Sequence, residues 1–136
     1  MSLGPDDPRI AAAEANYAAL AVGDLDQGLS NLHPDVVFDW SRSNSPYAGV
    51  YEGREAVRGL IEGIREAFED LEYFTDEWID AGERLIRVGG VRGRGRGSGA
   101  PVEMAGAQVV EYSGVLATRV TLFQGKREAL AATEQS

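Results

Sequence analysis

The spacing of apolar positions divides the chain into a helical first half and a strand-rich second half. Ile10, Ala13, Tyr17 and Leu20 recur at intervals of three and four, one face of a helix running from Ile10 to Val22. Gly23 ends it. Asp24 can cap a second, short helix, with Gln27 three residues on in a capping-box arrangement. Leu25, Leu29 and Leu32 are the stripe of that helix, and His33-Pro34 closes it, because a residue before proline avoids the α region. Val36 to Trp40 then reads as a strand with Phe38 and Trp40 on one face and Asp39 on the other.

Ser41 to Val50 holds three serines with Asn, Pro and Gly and reads as a long loop. Gly53 to Asp70 is the strongest helix pattern, with Val57, Leu60, Ile61, Ile64 and Phe68 as its apolar stripe. Four strands follow: Glu72 to Ala81, Arg84 to Gly97, Val102 to Tyr112 and Val115 to Phe123. Gly82, Gly99-Ala100-Pro101 and Ser113-Gly114 turn between them. Short turns between long strands imply an antiparallel meander. Arg127 to Thr133 adds a last helical turn or two. This order predicts a single α+β domain, with helices on one face of a curved antiparallel sheet. A sheet curled around helices makes a cone, and its wide end is a natural small-molecule site.

Composition narrows the function classes. The 136 residues suit one domain with a real core, and 43% hydrophobic content is ordinary for a globular protein. No apolar run approaches a membrane span, so no membrane partner is expected. Residues 1–8 carry no signal-peptide pattern and read as a disordered segment or cloning scar, with the domain over 9–134 and a cytoplasmic location. There is no cysteine, which excludes disulfides and thiolate chemistry, and His33 is the only histidine. Neither a metal site nor a cofactor is expected. A net charge of -9 argues against a nucleic-acid partner. Arg92-Gly93-Arg94-Gly95-Arg96-Gly97 resembles an RNA-binding repeat. Its alternation instead puts the arginines on one strand face, where Glu103 and Glu111 can pair with them, and the glycines on the other, leaving room in the cavity or allowing the sheet to bend.

The order of elements resembles the nuclear transport factor 2-like superfamily, and within it the SnoaL-like and ketosteroid isomerase-like proteins. Gly23-Asp24-Leu25-Asp26, Leu29, Leu32 and His33-Pro34-Asp35-Val36-Val37-Phe38 carry the resemblance. So do Gly49-Val50-Tyr51-Glu52-Gly53-Arg54-Glu55-Ala56-Val57 and Glu128-Ala129-Leu130. It extends from about Ile10 onward and implies a cystatin-like α+β barrel. The fold hosts isomerases, dehydratases, cyclases, binding proteins and docking modules, so it does not fix a reaction. The isomerases' helix tyrosine aligns with Asn16, their general-base aspartate with Trp40 and their protonated aspartate with Gln108. None of the three is kept, which argues against steroid isomerisation by that machinery.

The candidate ligand-binding residues are Tyr17, Phe38, Trp40 and Gln108. The catalytic candidates are Asp39, if a bulge turns it inward, and His33. Each has a plainer role as well: Tyr17 and Trp40 as core, Asp39 in a salt bridge, His33 at a helix end, Gln108 as an amide that must find partners on an apolar face. The serines lack a histidine-carboxylate set for hydrolase chemistry. Two functions stay open. One is a pocket for a small, mostly apolar molecule, with cofactor-independent acid–base chemistry of the isomerase, cyclase or dehydratase type. The other is a non-catalytic dimerisation or ligand-binding module. Ala107 and Val109 fall on the face opposite Gln108, and their apolarity predicts a homodimer through the sheet face.

Overall fold

The computed structural model describes residue 4 and residues 6–134. Of the loose segment expected over 1–8, residues 1–3 and 5 lie outside the described residues. Asp7 and Pro8, at its end, belong to the start of the first helix. The Asp7 carboxylate accepts from the Arg9 backbone N–H at 2.9 Å, and Pro8 opens helix α1 (Pro8–Ala21). Proline is at home there because the first turn leaves its N–H groups unbonded. Gly23, at φ 85°, ends the helix, and the Leu20 carbonyl accepts from the Gly23 N–H at 3.1 Å and from Arg65 Nη1 at 2.9 Å.

Several boundaries differ from expectation. Helix α2 (Leu25–Gly28) keeps its Asp24 cap, which accepts from the Gln27 N–H at 3.1 Å, but it lasts one turn. Strand β1 (Leu32–Asp39) already starts at Leu32, so His33-Pro34 lies inside a strand. Pro34 is tolerated because the ladder to the neighbouring strand skips from Leu32 to Val37, where no N–H is needed. From the last residue of the expected loop, Val50–Glu52 forms a short strand β2, antiparallel to β1, and Trp40 N–H bonds the Gly49 carbonyl at 2.7 Å. Helix α3 (Arg54–Ala67) stops before Phe68, which is half-buried as the first residue of β3 (Phe68–Ala81). Arg96 ends the helix from outside: its guanidinium donates to the Arg65 carbonyl at 3.0 and 3.1 Å.

Strands β4 (Arg84–Gly95), β5 (Pro101–Ser113) and β6 (Leu116–Phe123) complete the meander, and α4 (Lys126–Glu134) closes the chain. The sheet order is β2-β1-β6-β5-β4-β3, with β1 parallel to β6 and the other pairings antiparallel. The fold is therefore a single α+β domain with a curved six-stranded sheet and four helices. Leu20 of α1 and Val57 and Ile61 of α3 share a core with Leu32, Val36, Val110 and Val120 on the concave face. The helices are not confined to that side. Ala129 and Leu130 of α4 pack on Ile79, Ile86, Ala107 and Val109 of the opposite face. The apolarity of Ala107 and Val109 thus has an intrachain cause.

The arginine run pairs differently from expectation too. Arg92 and Glu103 are cross-strand partners, yet Arg92 Nε meets Glu72 at 3.2 Å, and Arg94 and Arg96 face Asp70 and Glu69. The acids are those of β3, brought alongside by the irregular register between Glu69 and Glu72. The glycines that border the cavity are Gly28, Gly89, Gly90 and Gly106, not those of the arginine run.

Candidate functional site

A cavity of about 400 Å³ occupies the space between the concave face, α1 and α3. Val57, Ile61 and Ile64 of α3 border it on one side, and Val91, Val110 and Val120 of the sheet on another. At the rim, the 40–49 connection contributes Trp40, Arg42, Ser43, Asn44 and Ser45. That rim is tied down. Asn44 Nδ2 donates to Gln124 Oε1 at 3.0 Å, and Gln124 Nε2 donates to the Arg42 carbonyl at 2.8 Å.

Tyr17, Phe38, Trp40 and Gln108 all line this one cavity. Phe38 and Trp40 stack with ring centroids 6.3 Å apart, as residues of one strand face should. Trp40 Nε1 is buried without a hydrogen-bond partner. Asn16, aligned with the isomerases' tyrosine, is 5% exposed and also borders the cavity. Its amide belongs to the scaffold: turned so that Nδ2 donates, it reaches the Gln27 carbonyl at 2.8 Å and Ser30 Oγ at 3.3 Å.

His33 and Asp39 are not among the cavity-lining residues. His33 Nδ1 accepts the Asp35 backbone N–H at 3.0 Å, a local turn contact. Asp39 is held on the other face of β1. Ser41 Oγ donates to it at 2.6 Å and Arg119 Nη2 at 3.2 Å. The Ser41 hydrogen bond first, and then the nearby arginines, keep its carboxyl below the usual range against the opposing effect of burial. A carboxylate so stabilised is a weak base.

Arg87 was not singled out from the sequence. It is 3% exposed, lines the cavity, and stands opposite Gln108 across the β4–β5 ladder. Its Nε donates to Thr75 Oγ1 at 2.9 Å, and Nη2 donates to the carbonyls of Phe74 at 2.8 Å and Gly90 at 3.3 Å. Its guanidinium lies 4.1 Å from the centroid of the Tyr17 ring, which stacks in turn on Tyr73 at 5.5 Å. The sequence held one signal: Arg87 shares strand parity with Leu85, Gly89 and Val91, so it had to point inward with them. Tyr73 was missed as well. Its hydroxyl is buried without a partner, and burial pushes its pKa up to about 12. It is a donor across the neutral range. Trp78 is satisfied, since Nε1 donates to Glu14 at 2.8 Å. Among the described residues no three His, Asp or Glu side chains come together as a metal-holding group, and no helix is long and apolar enough to cross a membrane.

The profile of the SnoaL-like domain matches residues 13–120. Among solved structures, TerC, co-crystallised with polyporic acid, superposes with a TM-score of 0.72 at 20% identity. The match covers 96% of this chain and 100% of that one. A Mycobacterium tuberculosis protein in complex with estradiol-17beta-hemisuccinate gives 0.71 at 17% identity, covering 85% and 92%. A Catenulispora acidiphila protein with a ketosteroid isomerase-like fold, in complex with trimethylamine, gives 0.70 at 16%, covering 89% and 90%. At these identities the likeness is one of fold. No curated protein matches the chain in sequence.

Proposed function

Because the chain belongs to the SnoaL-like domain family, we propose that it is a pocket protein, with a domain over residues 9–134 that binds a small, mostly apolar molecule. The observation that carries this reading is the cavity: about 400 Å³, bordered by Tyr17, Phe38, Trp40 and Gln108 and apolar over most of its wall. The small molecules named with TerC and with the mycobacterial relative are in keeping with it. Binding stands ahead of turnover. The acid on the cavity wall is Glu103, which is exposed, and the inward tyrosine Tyr73 is a donor rather than a base. Isomerase, cyclase or dehydratase chemistry would have to run on electrostatic stabilisation more than on proton abstraction.

The test is a thermal-shift screen of two- and three-ring compounds, followed by crystal soaks of the hits. A ligand at a hundred times its Kd should add about 2.7 kcal/mol of stability. Hits whose density lies in the cavity support the reading; a screen with no cavity ligand overturns it. The second reading, a non-catalytic dimerisation module in the cytoplasm, carries the homodimer through the sheet face. With α4 over Ala107 and Val109, such a contact would use the part of the outer face that α4 leaves uncovered. Light scattering at micromolar concentration decides it: a monomeric mass removes the dimer.

A further inference from the structure

We propose that the β4–β5 wall of the cavity is an oxyanion site, where Arg87, with Gln108 beside it, holds a negatively charged oxygen on an otherwise apolar ligand. This rests on the binding reading above and adds the ligand's charge to it. The first support is an imbalance. Arg9, Arg42, Arg58, Arg92, Arg94, Arg96 and Arg119 sit within ion-pair distance of a carboxylate, and Arg54, Arg65, Arg84 and Arg127, which lack one among the described residues, are at least partly exposed. Arg87 is more deeply buried than the partly exposed arginines of those pairs, and among the described residues it has no acidic partner. A guanidinium stays charged wherever it is placed, and burying it without a counter-ion is unfavourable.

The second support is the donor count. Thr75, Phe74 and Gly90 accept from Nε and Nη2, and all three are neutral. They fix the orientation of the guanidinium and leave its charge uncompensated. Nη1 has no acceptor among the described residues. The Gln108 side chain, the cross-strand neighbour, likewise has no protein hydrogen bond among them. Trp40 Nε1 and Tyr73 Oη line the same cavity, both buried and unpartnered. Arg87 Nη1, Trp40 Nε1 and Tyr73 Oη are thus three donors on the inner wall left without an acceptor among the described residues, so a fitting ligand brings one. The buried positive charge selects an anionic one, and low polarity strengthens the pairing.

Two dyes with the same aromatic body provide the test. 1-Anilinonaphthalene-8-sulfonate carries a sulfonate that N-phenyl-1-naphthylamine lacks. The wild-type protein should bind the sulfonate roughly tenfold tighter or more, at one site per chain. That ratio should fall toward one in Arg87→Met and survive in part in Arg87→Lys. Gln108→Leu should lower it several-fold, and serves as the readout should Arg87→Met fail to fold. Displacement arms identify the source of the oxyanion. Tight competition by 2-naphthoate indicates a carboxylate, while the naphtholate absorption band from bound 2-naphthol at neutral pH indicates a phenolate or enolate. Equal binding of the two dyes, or a preference that survives Arg87→Met, overturns the oxyanion site and leaves the pocket standing. If neither dye enters the cavity, the pocket reading and this one fall together.

Discussion

Strand β4 contains the same residue type in two opposite settings. At its far end, Arg92 and Arg94 stand exposed on the surface, each beside a β3 acid. In its middle, Arg87 lies buried under Tyr17 with neutral oxygens for partners. Both arrangements make hydrogen bonds, but only the outer one balances charge. Exposed pairs on a flexible surface contribute little to stability, because water already solvates each partner. An unbalanced charge inside the domain has the reverse character. It does not favour the fold, so its place is better explained by what enters the cavity. Between the two stretches sit Gly89 and Gly90, where the sheet closes so tightly that no side chain fits.

That glycine pair is where the largest effect is expected. A Cβ on residue 90 would lie 2.0 Å from the Met104 carbonyl oxygen and 2.8 Å from Ala105 Cα, all of it backbone. Gly90→Val should separate β4 from β5 and leave no cooperative unfolding transition by circular dichroism; a normally folded variant would refute the close approach. Next is Arg87→Met, which keeps much of the volume and removes the charge. Its urea stability should fall by no more than about 1 kcal/mol, or rise. A loss above roughly 3 kcal/mol would make Arg87 a structural residue and erase the contrast with the strand's outer end. Asp39→Asn probes a paired group on the outer side. The folded-state pKa of Asp39 is lowered, so its contribution is present above the unfolded value of about 3.9 and is lost as pH falls through the folded one. The wild type should be the more stable protein at pH 7, and the gap should close in acid. A gap that persists at low pH would mean that charge is not its source. The smallest effect belongs to Arg92→Ala, within about 1 kcal/mol and smaller still in high salt.

The sequence carried what is periodic. The α3 stripe of Val57, Leu60, Ile61 and Ile64 is buried as a 3.6-residue period requires, and the four long strands fall at the expected turns. What escaped depends on contacts distant in sequence. Phe68 continues the helical spacing, but Arg96, twenty-eight positions later, closes α3 one residue before it. β2 is too short for any period and exists only by pairing with β1. The α4 cover on Ala107 and Val109 lies beyond the reach of strand alternation, which identifies a face without saying what packs there. For the site, parity put Phe38 and Trp40 on one face, and it was the family resemblance that brought Gln108 and Tyr17 to the same opening; all four line the cavity. Arg87 stayed hidden because its importance comes from a missing carboxylate, and an absence of partners has no sequence pattern.

Gln124 gives the molecule a mechanical property. It lies between β6 and α4, and both ends of its amide are engaged by the 40–49 connection, through Asn44 and the Arg42 carbonyl. Two residues later begins the helix that covers the sheet's other side. Rim and cover thus share an anchor: the residue that holds the doorway of the cavity by both ends of its amide also leads into the helix on the far side of the sheet.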